Sequence, residues 1–598
     1  MCGIAGILTA SEYQDNLEVL IQRMQNELQH RGPDDQGIYI SQDRKASFSH
    51  TRLSILDLSP AGHQPMSTPD GRYWITFNGE IYNFQELRSQ LEAQGETFSS
   101  HTDTEVILKL YQRVGTKCVE QLRGMFAFAI WDDYEKTSFL ARDPLGIKPL
   151  YYWQSGSTLV FASELRAVLA SGLPEKCLNP DGLYGYLTTG SVPEPETLIE
   201  GIRILEAGHC LWWQAGDVRQ WQYWQIKFDS EATTPSAAVA IVREALLKSI
   251  QHHFVSDVPV GVFLSGGIDS TAIVALSRQV QSGALHTFSI AFREKEWNEG
   301  DLAQQVANQF GTKHTEYIVT AEKGRSLLPK FLAAIDQPSI DGFNTFCVSQ
   351  IAHECGMKVV LSGLGGDELF GGYKSFQKVP QMVRMGQKLK PYRPLTQVVG
   401  AGLERWGNST KIRRIGDFIQ QPPNSVAAYR SFRGIFSHWE ACQILKNYFP
   451  DQKCPHRQNP ELDNTNLPSL EDKVSLLEIS RYMRNQLLRD SDVMSMAWGL
   501  ELRVPLVDKT LLETIATIPS NLRLAPGKQL LTKAVPEIPD WIKNRPKRGF
   551  YFPYEQWMQK EWREYFQDVQ SFTNIPLKPW YRRWNLIILQ HWWKQISQ

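Results

Sequence analysis

Charge of one sign, paired-cysteine motifs and long apolar runs are all missing from this chain. Its 598 residues carry 63 Lys and Arg against 64 Asp and Glu, a formal charge of -1. No whole-chain field therefore exists to hold a polyanion, and nucleic acid is a poor first candidate for a partner. The eight cysteines, Cys2, Cys118, Cys177, Cys210, Cys347, Cys355, Cys442 and Cys454, show no C-x-x-C spacing. That argues against structural zinc and secreted disulfides and fits a reducing cytoplasm. No apolar stretch reaches the ~18 residues of a membrane span, and the N-terminus lacks a basic n-region and a long h-region. The expectation is a cytoplasmic protein with no membrane partner. Repeats, low-complexity blocks and the G-x-x-x-x-G-K-[ST] phosphate loop are absent too.

What is present divides in two. Up to about residue 226, short β-rich runs alternate with Gly, Pro and Asn turns, as in "YWITFNGEIYN", "MFAFAIWDD" and "TLVFASE". Amphipathic periodicity predicts helices over Asn16–Gln29, Gln85–Gln94 and Thr104–Val114, an α+β pattern rich in antiparallel strands. The polar stretch "KFDSEATTPSAA" follows, with Ser236 placed to cap the next helix. Beyond it, "VPVGVFLSGGIDSTAIVALSRQV", "ALHTFSIAF", "HTEYIVT" and "KVVLSGLGGDE" alternate strand with helix, which implies a parallel sheet covered on both faces. From about Val379 the pattern is mainly helical and Trp-rich. Two domains are expected, 1–226 and 236–598.

In "FLSGGIDS" a Gly-rich turn joins an apolar strand to a helix, so backbone N–H groups and the helix N-terminus can converge on a phosphate. Gly266 and Gly267 allow close approach, and Ser265 and Ser270 add hydroxyl donors. Asp269 repels phosphate unless a cation lies between them, which implies Mg²⁺. In "VVLSGLGGDELFGGY", Asp367 and Glu368 follow a turn at what would be the carboxyl edge of the same sheet, where Asp367 could be a second Mg²⁺ carboxylate. Read blandly, Asp367 is a helix cap. The first string resembles the pyrophosphate-binding loop of the ATP pyrophosphatases, which split ATP between its α- and β-phosphates and leave an adenylated substrate.

The strings "MCGIAGI", "HRGPDD", "HTRLSILDL", "GHQPM", "FNGEIYN", "SHTDTEVIL" and "RDPLGIKPLYY" occur in that order. Together they resemble the class II, N-terminal-nucleophile glutamine amidotransferases, whose glutaminase domain is an αββα layered fold. The chemistry suits the residue types: a side-chain amide resists water, so a nucleophile, a base and oxyanion donors are needed. Cys2 supplies the thiol and, once Met1 is removed, its own α-amine as base; their reference pKa values, about 8.5 and 7.7–8.0, are close enough to exchange a proton. The resemblance implies that Asn78 and the N–H of Gly79 form the oxyanion hole, and that Arg52, Asn78, Glu80 and Asp103 surround the glutamine. Arg52 would take its α-carboxylate and Asp103 its α-ammonium. Asn78-Gly79 also reads as a hairpin turn.

Over nearly its whole length the chain resembles the glutamine-hydrolysing asparagine synthetases, with further matches in "LELRVPLVD", "GKQLLTKAV" and "RPKRGFYFP". That resemblance implies ATP as substrate, Phe263 and Ile290 beside its adenine, Lys528 near its phosphates, and Ser362 and Gly363 lining an acyl-adenylate pocket. Read blandly, Lys528 is an exposed lysine at a helix start. It also implies Lys547 and Arg548 closing over pyrophosphate, a homodimer, and a dry passage for ammonia between Cys2 and "SGGIDS". Many of these enzymes carry Glu where this chain has Leu364 in "SGLGGDE", which opens the alternative of another carboxylate acceptor, such as a cell-wall peptide precursor or a sugar acid. Asp336, Asp341 and Asn344 of "DQPSIDGFNTF" are the candidates to face the acceptor. A silent binding protein and a bare glutaminase are the competing classes, and both must explain why Cys2, Arg52, Asn78, Asp103, Asp269 and Asp367 are present together.

Overall fold

A computed structural model describes residues 2–11, 16–294, 298–455, 467–545, 552–567 and 575–598. Lys547 and Arg548 lie outside them. The β-rich first part folds into two six-stranded antiparallel sheets. One runs in spatial order Ile202–Ile204, Tyr151–Ser155, Thr158–Ala162, Gly3–Leu8, Ala46–Arg52, Asp35–Ile40. The other runs Asp217–Gln222, His209–Gln214, Thr137–Arg142, Gly124–Asp132, Tyr73–Ile81, Met66–Ser67. Ile4, Leu8, Phe48 and Phe161 of the first sheet meet Ala127, Trp131, Leu140 and Trp213 of the second in one buried cluster. The helices Leu17–Glu27 and Leu165–Ala170 cover the outer face of the first sheet, and Phe84–Ala93 and Asp103–Val114 cover the second. Helix, sheet, sheet and helix thus stack in four layers.

The remainder is built on a five-stranded parallel sheet in the order Lys313–Ile318, His286–Ala291, Val260–Phe263, Val359–Leu361, Glu501–Arg503. Helices lie on both faces, the central strand buries Gly261 and Val262, and among the described residues the elements after Phe370 are helical apart from Glu501–Arg503. The carboxyl ends of three adjacent strands, at Phe263, Leu361 and Arg503, open on one edge.

Four local expectations need correction. The cap of helix Pro235–His253 is Thr234, whose side chain accepts from Ala237 N–H, while Ser236 sits inside the first turn. Pro235 explains the choice: it fits the first helical position, where its missing N–H costs nothing, and so fixes the cap one residue earlier. Asn78-Gly79 is not a turn but the middle of strand Tyr73–Ile81, paired with Ala127 and Phe126. Glycine is demanded there by crowding, since a Cβ at Gly79 would stand 2.2 Å from the Met125 carbonyl oxygen. Lys528 is not an exposed helix-start lysine; only 5% of it is accessible. Finally, Cys442 and Cys454 are joined in a disulfide, while the other six cysteines are free thiols.

Candidate functional site

Strand Gly3–Leu8 places Cys2 at its mouth, 8% exposed. The Cys2 nitrogen donates to Asn78 Oδ1 at 3.1 Å, so the atom that becomes the α-amine on loss of Met1 is already held. Asn78 Nδ2, fully buried, has no hydrogen-bond partner among the described residues. Leaving such a donor unpaired costs ~1–3 kcal/mol, so it marks a place kept for a ligand acceptor. Burial pushes the Cys2 thiol pKa up, and the N-terminal ammonium, a Leu53 backbone contact and Arg52 pull it back. Arg31 anchors the residue from behind, its Nε donating to the Cys2 carbonyl at 3.1 Å.

Arg52, at the end of the neighbouring strand, is clamped by carbonyls: it donates to Ser59 at 3.1 Å, Leu56 at 3.2 Å and Asp57 at 2.5 Å. Gly62 makes room for it, since a Cβ there would fall 1.9 Å from the guanidinium. Asp103 opens helix Asp103–Val114, capped by Thr102, and its carboxylate accepts from Ile81 N–H at 2.9 Å. Burial pushes Asp103 up to about 6, with the Ile81 and Thr104 amides opposing. Below that pH it is neutral and cannot hold an ammonium. We therefore expect kcat/KM for glutamine to fall about tenfold per unit below pH 6, since that ratio reports the free enzyme. Ammonia-dependent turnover, compared at equal free NH₃, should show no such limb, and Asp103→Asn should flatten the glutamine profile at a lower plateau. A glutamine profile unchanged in the variant would remove Asp103 from the glutamine site.

The second site lies on the open edge of the parallel sheet, where Phe263 and Ile290 end or approach the ends of adjacent strands. Gly266 takes φ +72° so that the turn can fold back, and Ser265 Oγ and Ser270 Oγ approach to 3.1 Å. Gly267 is the N-cap of helix Ile268–Val280, with Asp269 in its first turn. Lys528 Nζ pairs with Asp269 and, at 2.5 Å, with Asp367 Oδ1, so one buried ammonium draws both carboxylates together. Glycines wall this cradle: Cβ atoms at Gly366 and Gly372 would reach within 2.3 Å of Asp269 Oδ1 and 1.8 Å of Asp367 Oδ1. Gly363 faces Ser270 N, where a Cβ would stand at 2.8 Å. Two hard oxygen donors from the first turns of two helices, Ile268–Val280 and Gly366–Phe370, fit Mg²⁺.

Of the acceptor candidates, Asp336 is spent on structure: its carboxylate caps Leu165 and Arg166 N–H at 2.9 and 3.0 Å. Asp341 is bonded to Gly342 N–H and Asn344 to Thr345 N–H, each at 2.8 Å. Leu364 packs against the core. Near it, Glu368 accepts from Tyr373 Oη at 2.9 Å, and burial, with Asp367 and Glu478 nearby, pushes its carboxyl up to about 8.

Sequence reasoning missed the groups that join the sites. Arg503 is wholly buried; its side chain donates to Glu80 Oε2 at 2.9 Å, Glu501 at 2.5 Å and the Val255 carbonyl at 2.6 Å. Its own carbonyl accepts from Ser362 N–H at 2.9 Å. One residue thus touches Glu80, two positions past Asn78, and the first residue of the second glycine loop. A second tie runs from Arg31 to Asp492 at 2.8 Å, with Lys148 on the same carboxylate at 3.2 Å. The only available signal was two charged residues in the alternating "LELRV" strand, where one face must be buried.

A four-layer antiparallel unit with a cysteine at its mouth, tied to a parallel-sheet unit with a phosphate-type loop, defines a glutamine amidotransferase coupled to a synthetase. Residues 1–224 match the glutamine amidotransferase domain family and residues 241–585 the asparagine synthase family. The chain is 34% identical to asparagine synthetase [glutamine-hydrolyzing] 1 of Bacillus subtilis, covering 95% of this chain and 90% of that one. Asparagine synthetase [glutamine-hydrolyzing] 3 of the same organism is 30% identical, with coverage of 96% and 90%. A putative asparagine synthetase [glutamine-hydrolyzing] of Mycobacterium tuberculosis is 32% identical, with coverage of 94% and 88%. The chain belongs to the glutamine-hydrolysing asparagine synthetase family and is a glutamine-dependent amide-forming ligase.

Proposed function

We propose that the chain converts aspartate to asparagine, with glutamine as nitrogen donor and ATP cleaved to AMP and pyrophosphate. Arg503 is the observation that carries the coupling: a glutaminase acting alone has no use for a buried arginine bonded to both Glu80 and the Ser362 loop. The aspartate assignment is supported by the relatives' names. The division into 1–226 and 236–598 places the polar linker between the two units.

Cys2 Sγ attacks the glutamine amide carbon, its proton passing to the α-amine, while Asn78 Nδ2 and Gly79 N–H take the oxyanion. The amine returns a proton to the departing nitrogen, ammonia leaves, and water hydrolyses the thioester to glutamate. Arg52, Glu80 and Asp103 fix the substrate's charged end. In the second unit Ser265, Gly266, Gly267 and Ser270 cradle phosphate, Lys528 adds a point charge, and Phe263 and Ile290 flank the adenine. The acceptor carboxylate attacks the α-phosphorus, pyrophosphate leaves, and ammonia then displaces AMP beside Ser362 and Gly363. Mg²⁺, when bound by Asp269 and Asp367, neutralises charge on the phosphates. Leu53, Ile55, Val359 and Met496 form a buried apolar cluster between the units, the kind of surroundings that a route for uncharged ammonia would need. The free thiols favour a reducing cytoplasm. Among the described residues no helix is long and apolar enough to cross a membrane.

The test is AMP and pyrophosphate release with glutamine present, screened over free amino acids, peptide carboxylates and sugar acids. Aspartate should be required and should yield one asparagine per AMP. Silence with aspartate and turnover with another acid would reassign the acceptor and leave the coupled chemistry standing.

A further inference from the structure

Away from both centres, three soft donors converge at the junction of the two units. His438 opens helix His438–Leu445 and Cys442 lies one turn later, on the same face. Cys454 returns to that face twelve positions on, with its Cα 5.5 Å from that of Cys442. Cys442 Sγ is 3.7 Å from His438 Nε2, and one donor atom from each of the three residues lies within 4.8 Å of the others. On a tetrahedral zinc ion, a thiolate at about 2.3 Å and an imidazole nitrogen at about 2.1 Å stand roughly 3.6 Å apart. The histidine and the first cysteine already have that separation.

The ring also has a partner on its other nitrogen, as a metal-bound histidine does. Tyr184 Oη lies 2.8 Å from His438 Nδ1, and the two rings meet edge to face at 5.6 Å. Cys442 Sγ lies 3.9 Å from Nδ1 and 3.7 Å from Nε2, so the sulfur stands beside the ring, and the partner on Nδ1 leaves Nε2 as the nitrogen for the metal. Tyr184 belongs to helix Pro180–Thr189 of the first unit, so the cluster sits where that unit meets the helical part of the second.

We propose that the reduced protein binds one Zn²⁺ through His438 Nε2, Cys442 Sγ and Cys454 Sγ, and that the disulfide is the oxidised form of the same site. A dithiol cleaves the S–S bond, giving two electrons and two protons to the sulfurs and closing its own disulfide. Zn²⁺ then displaces the two thiol protons. Two thiolates with one imidazole are a donor set that zinc favours. The two states exclude each other, because sulfurs bonded to one another cannot ligate as thiolates. C-x-x-C spacing could not reveal the site, since its donors stand four and twelve residues apart.

The test uses the full chain in a Cys177→Ser/Cys355→Ser background, because these are the exposed free thiols. Protein is reduced with tris(2-carboxyethyl)phosphine, which takes oxygen from water as it gives two electrons to the disulfide. It is then exposed to zinc chloride, desalted and analysed for metal. About one zinc per chain is expected, against little in Cys454→Ser, His438→Ala or diamide-oxidised protein. Tyr184→Phe should bind roughly ten- to a hundredfold more weakly, a variant that keeps the fold even if a cysteine variant does not. Cobalt in place of zinc should show a sulfur-to-metal charge-transfer band that Cys454→Ser lacks. Equal zinc in the reduced parent and Cys454→Ser, or no zinc in the reduced parent, overturns the site.

Discussion

Cys2→Ala should lose glutamine hydrolysis by more than about 10⁴-fold, the scale on which a covalent nucleophile acts, while ammonia-dependent asparagine formation stays near the parent rate. The asymmetry follows from where the sulfur sits. Burial holds the thiol neutral at rest, so reaction needs a base at hand, and the nearest is its own nitrogen, fixed by Asn78 Oδ1 at 3.1 Å. Removing one sulfur atom leaves that contact, the Arg31–Cys2 carbonyl bond and the Arg503–Glu80 pair intact. The second unit therefore keeps its shape and needs only ammonia from solvent. Intact-mass measurement of active parent enzyme should show Met1 gone, because an amide nitrogen is no base. Glutamine hydrolysis surviving in Cys2→Ala would refute the nucleophile assignment.

The layered architecture was legible because each level of the chain agrees. In "YWITFNGEI" an apolar face of Ile75, Phe77 and Ile81 alternates with a polar one, and the apolar face packs under the helices Phe84–Ala93 and Asp103–Val114, while the Val-rich runs after residue 258 are apolar on both faces and demand helices on each side. The places of the candidate residues in the fold were legible where a motif combined with a rigid strand end, as at Cys2 and at Ser265–Ser270. What stayed hidden depends on long-range partners. Arg503 reads locally as one charge in a strand, and only the docking of the units makes it a bridge. Lys528 fits an exposed helix start until Asp269 and Asp367, 259 and 161 positions away, close round it. Gly79 misled because Asn-Gly favours turns, whereas the crowding that selects glycine comes from the neighbouring strand at Met125.

Lys528→Met carries the largest expected loss in the second unit, about 10²–10³-fold in aspartate-dependent ATP cleavage, the usual cost of one preorganised charge at a reacting phosphate. Glutamine hydrolysis should persist, since the glutaminase centre has no contact with this lysine. The structural consequence is separate and of known sign. In the parent the buried ammonium lies between the half-buried carboxylates of Asp269 and Asp367. Methionine fills its volume but removes the ammonium that pairs with both carboxylates, and breaking such a cluster costs about 3 kcal/mol or more. A divalent cation can supply what is lost. The melting temperature of Lys528→Met should therefore fall below the parent in EDTA and rise more than the parent's on adding Mg²⁺. Both effects should vanish in Lys528→Met/Asp269→Asn, where a single carboxylate no longer needs neutralising. A variant as stable as the parent without Mg²⁺ and unresponsive to it would mean that Asp269 and Asp367 are not a metal pair, and would leave Lys528 as a phosphate ligand alone.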